Sequence, residues 1–194
     1  MPGTVRRQSK RGGYHRNELG IFTNFSPMIH GIAKVSFTCH AHEAQLVLLN
    51  TFEELNGHQE ARTLSTSEGE GEVEGRMGLE IGVAEGNYFT YFDKETSADL
   101  AALLEMQRRS RPLDFLLIAT YYYMKNQKEI PLKFDYHHLR FSFGQNELNV
   151  VLNHVKGIRR LPLDELLIIF FNRLEQKLKN QKLGTATIKE LRTA

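Results

Sequence analysis

The sequence predicts an α+β fold, an antiparallel sheet with helices packed mainly on one face. Three observations carry this: stretches of alternating apolar and polar residues come as pairs around turn residues, segments of helical spacing lie between the pairs, and 194 residues suit one compact domain. Residues 32–39 open the series, with Val35, Phe37 and Cys39 on one face and Lys34, Ser36 and Thr38 on the other, the pattern of a half-buried strand. Leu46, Leu49, Phe52 and Leu55 then recur at helical spacing over 42–56, and Gly57 supplies the stop. Residues 58–75 are poor in apolar side chains and alternate Glu with Gly; they read as a mobile loop whose last residues fray into an edge strand.

Two apolar runs, 77–83 and 87–92, flank Ala84, Glu85 and Gly86 and read as a hairpin. Ser97 is placed to cap a helix over 98–109, and Pro112 to open another over 113–125. A second strand pair, 132–143 and 147–155, brackets Gly144, Gln145 and Asn146, and Pro162 opens a last helix reaching about Lys179. The sheet is therefore built from a β-α start and two hairpin-helix units. Residues 112–118 (PLDFLLI) match residues 162–168 (PLDELLI) at six of seven positions, each after a basic step. The match suggests two related halves, 76–125 and 132–179, although Pro-Leu-Asp is also simply a good helix start.

Composition bounds the function. With 41% hydrophobic and 25% charged residues, 15 Gly and 5 Pro, chain-wide disorder and a collagen-like chain are excluded. A single Cys forms no internal disulfide, and no apolar run approaches the ~18–20 residues of a transmembrane helix. The expected location is the cytoplasm.

The net charge of +2 hides opposed blocks. Arg6, Arg7, Lys10, Arg11 and Arg16 stand without an acid in residues 1–16, and residues 1–18 lack apolar periodicity and read as a disordered basic arm. The same segment also fits an organellar transit segment, a solvated tail, or residues upstream of a natural start at Met28; the folded α+β domain is assigned to 28–194. Glu68, Glu70, Glu72, Glu74, Glu80 and Glu85 face Arg76 alone, and from Lys156 onward nine basic residues outnumber four acids.

Two helical segments carry more apolar surface than one face needs. Leu163, Leu166, Leu167, Phe170, Leu174 and Leu178 form a stripe, with Ile168, Ile169 and Phe171 outside it. The 113–125 segment is similar, with Phe115, Leu116, Leu117, Ile118, Tyr121, Tyr122 and Tyr123. Such surplus suits either a central place in the core or a homo-oligomer joined through Phe170, Phe171 or the three tyrosines.

Candidate chemistry is sparse. His40 and His42, one residue apart beside Cys39 and Glu43, could approach one zinc or iron from an extended segment, although alternation turns Cys39 away. His42 could equally serve the start of the helix. On the 132–143 strand, Phe134, Tyr136, His138, Arg140 and Ser142 share one face at period two, opposite Leu139, Phe141 and Phe143. A row of aromatics and cations suits single-stranded nucleic acid, and the same row is also ordinary for a half-exposed strand. No phosphate-binding glycine loop, nucleophile elbow or paired Cys-x-x-Cys is present. The reading is a non-enzymatic nucleic-acid-binding or assembly protein, RNA-binding included, without cofactor and self-associating, with Tyr136, His138, Arg140, Arg159 and Arg160 as the binding residues. The alternatives are a metal-dependent enzyme centred on His40 and His42, and an adaptor that pairs with another protein.

Overall fold

The computed structural model describes residues 18–65, 72–107, 111–125 and 128–194. The basic arm therefore lies outside the described residues, save Glu18. Among the described residues all strand pairings are antiparallel, in one nine-stranded sheet of order β1-β5-β4-β6-β7-β8-β2-β9, with β3 also paired to β4. In chain order the elements are β1 (Glu18–Ile21), β2 (Gly31–Phe37), α1 (Ala41–Leu55), β3 (Gln59–Ser65), β4 (Glu72–Glu85), β5 (Tyr88–Tyr91), α2 (Lys94–Gln107), β6 (Leu113–Lys125), β7 (Lys128–Phe143), β8 (Glu147–Lys156), α3 (Leu163–Asn180) and β9 (Ala186–Thr193). No described helix is long and apolar enough to cross a membrane.

The α+β class and the strand alternation are as the sequence predicts. Ala33, Val35 and Phe37 of β2 are buried toward the helices, and β7 sends Leu139 and Phe141 the same way. Helix α1 starts at His40, whose backbone N–H donates to Glu43 Oε2 at 2.9 Å, one half of a capping box. It buries Ala44, Val47, Leu48, Leu49, Phe52 and Leu55. Phe52 is the hub of the core: its ring lies 4.2 Å from Phe115 of β6, 5.3 Å from Phe141 of β7 and 4.7 Å from Phe170 of α3. Leu100 and Leu104 bring α2 into the same layer, so all three helices contribute to one face of the sheet.

Two expectations are corrected. The helix predicted over 113–125 is β6, a central strand between β4 and β7. Phe115, Leu117, Ala119 and Tyr121 face the helices, while Leu116, Ile118 and Thr120 are buried on the opposite face. A strand buried on both sides needs apolar residues at every position, and such a run has no periodicity to separate it from a buried helix. The matching heptads consequently sit in different elements, residues 112–118 leading into a strand and 162–168 into α3. Phe170, Phe171 and Tyr121, expected as anchors between copies, are spent inside the core.

The loop expected over 58–75 is in large part sheet: β3 and the start of β4 pair in register from Gln59 with Gly78 to Ser65 with Glu72. Residues 66–71 lie outside the described residues. Gly75, one member of the Glu-Gly alternation, marks close strand approach, because a Cβ there would overlap Leu64 and the Tyr122 carbonyl. β1 and β9, both sheet edges, have no counterpart in the predicted elements. β1 lies upstream of Met28, so the sheet begins before the 28–194 boundary.

The face opposite the helices is covered by far less. Phe89, Leu116 and Ile118 form a small cluster there with Leu19, Phe22, Ala84 and Tyr136. Between β1 at one edge and β2 near the other, residues 22–30 cross this face: Phe22 packs on Phe89 at 4.9 Å, and the Phe25 ring lies 4.9 Å from the Arg140 guanidinium.

Phe52→Ala should therefore cost about 3–5 kcal/mol, a large share of the ~5–15 kcal/mol of a typical domain, because three other rings are deprived of their partner at once. Urea denaturation of the two proteins measures this, and a midpoint shift worth less than about 1 kcal/mol would show that the core closes over the cavity.

Candidate functional site

The polar chemistry of the molecule converges where β7, the end of β8 and the turn into α3 meet. Asp135 of β7 is fully buried. Its Oδ1 accepts the backbone N–H of Arg159 at 2.9 Å, and its Oδ2 accepts the N–H of Arg160 at 2.9 Å and the Tyr121 hydroxyl at 2.8 Å. The Ile158 N–H also bonds this carboxylate. The turn reaches it through left-handed backbone at Gly157 (φ 122°) and Arg159 (φ 50°), and a Cβ on Gly157 would overlap the Asp135 carboxylate. Burial pushes the Asp135 pKa up, but the Tyr121 hydroxyl and the three backbone donors outweigh it and hold the group below its usual range. Tyr121 is pushed strongly upward by burial and then by the adjacent carboxylate, so it keeps its proton and donates it to Asp135. The same hydroxyl oxygen accepts the Leu161 N–H at 3.1 Å.

Three imidazoles line this centre. His154 Nε2 is 3.5 Å from Asp135 Oδ1 and forms no hydrogen bond with it. The His137 ring lies 5.1 Å from that of His154, fully buried, with neither nitrogen hydrogen-bonded. Burial, then the neighbouring His154, lowers its pKa to about 4, so it is neutral at physiological pH. His30 Nδ1 accepts the His154 backbone N–H at 3.1 Å and lies 3.2 Å from Asn153 Nδ2. Acid–base catalysis needs a group that a substrate can reach. Asp135 and His137 are sealed from solvent, and the carboxylate is saturated by its donors, so this centre holds the fold and presents a surface around itself.

That surface contains part of the set predicted from sequence. Tyr136 is half-buried, on the sheet face opposite the helices, its ring centroid 6.3 Å from that of Phe134, which is 47% exposed. The backbone of Tyr136 is paired with that of exposed Lys156 on β8. Arg159 is exposed, its guanidinium donating to the Ala194 carbonyl at 3.1 Å, while Arg160 is half-buried; both give backbone N–H groups to Asp135. The backbone of Arg159 and Arg160 is thus fixed on Asp135, the residue that precedes Tyr136 in β7.

His138 and Arg140 have partners of their own. His138 lies between Phe89, at 4.9 Å, and Phe25, at 6.5 Å. Arg140 makes a bidentate pair with Asp114, Nε to Oδ1 at 2.7 Å and Nη2 to Oδ2 at 2.8 Å, beneath the Phe25 ring. Sequence reasoning places Phe134 on the correct face without choosing it, and misses Lys156, whose place beside Tyr136 depends on strand register.

His40 is the N-cap residue of α1, with its side chain exposed, and His42 lies in the first turn, while Cys39 is buried in the core, its pKa raised chiefly by burial. Among the described residues, no group of three His, Cys, Asp or Glu side chains is placed to hold a metal ion. Compared with protein-family models, curated proteins and solved structures, the chain matches none of them.

The buried imidazole fixes a pH dependence of stability. His137 binds its proton more weakly in the folded chain (about 4) than in the unfolded chain (ordinary value 6.5), so its contribution is intact above about pH 6.5 and is lost as pH falls toward 4. The loss over that window should reach up to about 3 kcal/mol, with Asp135 adding a further loss at still lower pH. Thermal unfolding across that range should show the decline in the wild type and a flatter profile in His137→Leu; parallel profiles would remove the assignment to this residue.

Proposed function

We propose that the chain is a non-enzymatic module for single-stranded nucleic acid, RNA included, and that it binds at the corner formed by Phe134, Tyr136, Lys156 and Arg159. The observation that carries this reading is the exposed Phe134 ring beside Tyr136, with exposed Lys156 paired to Tyr136 in the sheet and exposed Arg159 on the turn whose amides bond Asp135. A fixed aromatic face stacks a base, and adjacent cations take its phosphates. The basic arm, with Arg6, Arg7, Lys10, Arg11 and Arg16, adds positive charge to the same task in this reading. Arg140 contributes little while Asp114 neutralises it.

An adaptor role is the second reading. It is favoured by exposed Val155 and Ile158 at the same corner, which would suit an apolar protein surface.

Salt separates the two. Anisotropy titration of a mixed-sequence single strand at low and at physiological salt should show binding that weakens steeply with salt. The log–log slope should fall by about 0.7 for each phosphate that Lys156→Ala or Arg159→Ala leaves without its cation. Phe134→Ala should weaken binding by about 1–3 kcal/mol and leave the slope nearly unchanged, because stacking releases no counterions. Absence of binding even at low salt would overturn the nucleic-acid reading and leave the adaptor.

A further inference from the structure

We propose that residues 22–30 are a displaceable cover over the aromatic–cationic row of β7, latched by His30 and released when that ring takes up a proton. The purpose assigned to the cover rests on the nucleic-acid reading above, while its mechanics stand on geometry alone.

The segment contains neither helix nor strand, and it is tied to the sheet chiefly at its ends. At the first, the Phe22 N–H donates to the Asn87 carbonyl at 2.8 Å and its ring rests on Phe89. At the second, Asn153 Nδ2 donates to the Met28 carbonyl, the His30 N–H donates to the Leu152 carbonyl at 2.9 Å, and the His154 N–H donates to His30 Nδ1. In the middle, amides bond within the segment, Phe25 to Asn24 and Met28 to Ser26, and the Phe25 ring lies over Arg140 and beside His138. With the cover in place, the row ends at Tyr136. With it lifted, His138 and Arg140 continue the line of Phe134 and Tyr136 along the same face at period two.

The latch is sensitive to protons because of what Nδ1 faces. Two donors point at it, the His154 N–H and Asn153 Nδ2, so Nδ1 must carry a lone pair. Protonation puts a third donor against those two, so the bonds to Nδ1 are broken and this end of the cover is left on the Asn153–Met28 and His30–Leu152 bonds. Around the ring stand His154 from β8, the Arg159 cation from the turn into α3, and Ala194 beyond β9, whose N–H donates to the His30 carbonyl at 2.8 Å. From β7, His137 and Asp135 lie behind His154, the carboxylate already occupied by its donors. Burial, then Arg159 and His154, hold the His30 pKa below its ordinary value, so release falls on the acid side of about pH 6.5.

Amide hydrogen exchange of the full chain, corrected for intrinsic rates, tests the latch at about pH 7.5 and about pH 5. Protection of residues 22–30 and of the His154 amide should fall by about tenfold or more at the lower pH, relative to α1 and α3. In His30→Asn, whose Oδ1 offers an acceptor that does not titrate, protection should stay the same at both. Unchanged protection in the wild type, or an equal loss in His30→Asn, overturns the latch.

If His30→Asn does not fold, a nitrogen NMR titration of the wild-type ring decides. A neutral ring protonated at Nε2, with a midpoint matching the loss of protection, supports the latch, and a neutral ring protonated at Nδ1 overturns it. The cover's purpose is read separately with Phe25→Ala and a mixed-sequence single strand at about pH 7.5, where uncovering should tighten binding about tenfold. Wild-type affinity in Phe25→Ala overturns the covering role and leaves the latch, whereas no binding by either protein removes the platform itself.

Discussion

A carboxylate sealed from water midway along β7 organises much of what surrounds it. Removing such a charge from solvent costs on the order of several kcal/mol, so the structure stands only if its oxygens are fully bonded. Asp135 achieves this with the Tyr121 hydroxyl and the N–H groups of Ile158, Arg159 and Arg160. Each donor fixes something else. The three amides set the path of the turn out of β8, including left-handed backbone at Arg159 that costs about 1–2 kcal/mol in a residue with a side chain. Tyr121 ties that turn to β6 and extends the tie to the Leu161 amide, immediately before α3. The entry of α3 then aims Phe170 at Phe52, where four aromatic rings close the core.

The two faces of the sheet consequently differ in kind. On one, three helices bury a continuous apolar layer, and opening it means global unfolding. On the other, a short irregular segment covers a cluster of three buried residues, with one hydrogen bond to the sheet at Phe22 and several near His30. Local opening is cheap there because little apolar area is exposed by it. The aromatic and cationic residues of β7, Phe134, Tyr136, His138 and Arg140, lie on this second face.

Much of this fold is legible in the sequence, and the exceptions share a cause. Strands with one buried face announce themselves by alternation, as β2 and β7 do, and α1 and α3 by their apolar spacing. β6 fails both tests because helices cover one of its faces and the Phe89 cluster fills the other. The paired heptads make the same case. Residues 112–118 and 162–168 share six of seven residues, yet one segment extends and the other coils. The residues directly downstream favour a strand in both cases, Tyr121, Tyr122 and Tyr123 against Ile169, Phe170 and Phe171, and the difference lies farther on, where Leu174, Glu175, Gln176 and Lys177 favour a helix. Seven residues set a pattern of burial, and their neighbours decide which element satisfies it. β9 is hidden for the opposite reason, since an edge strand needs few apolar residues and carries Lys189, Glu190 and Arg192 instead.

The candidate site is legible in its periodicity and illegible in its pairings. Period two suffices to put Phe134, Tyr136, His138 and Arg140 on one face. It cannot say that Arg140 meets Asp114, because that pairing depends on the register between β6 and β7, which is set by the whole sheet. Nor can it show Asp135 as a structural anion, since in sequence it is a lone acid in an aromatic strand. Counting cations therefore overstates what the row offers to an anionic ligand. Arg140 is compensated by Asp114 and capped by Phe25, and of the five residues that the sequence singles out only Arg159 is exposed, Tyr136 and Arg160 being half-buried. The side chain of Arg159 is exposed while its backbone is fixed on Asp135, so its charge is presented from a rigid base. A rigid base lowers the entropy lost when a partner is bound, and that gain is open to a ligand only where the cations are not already answered by acids of the protein itself.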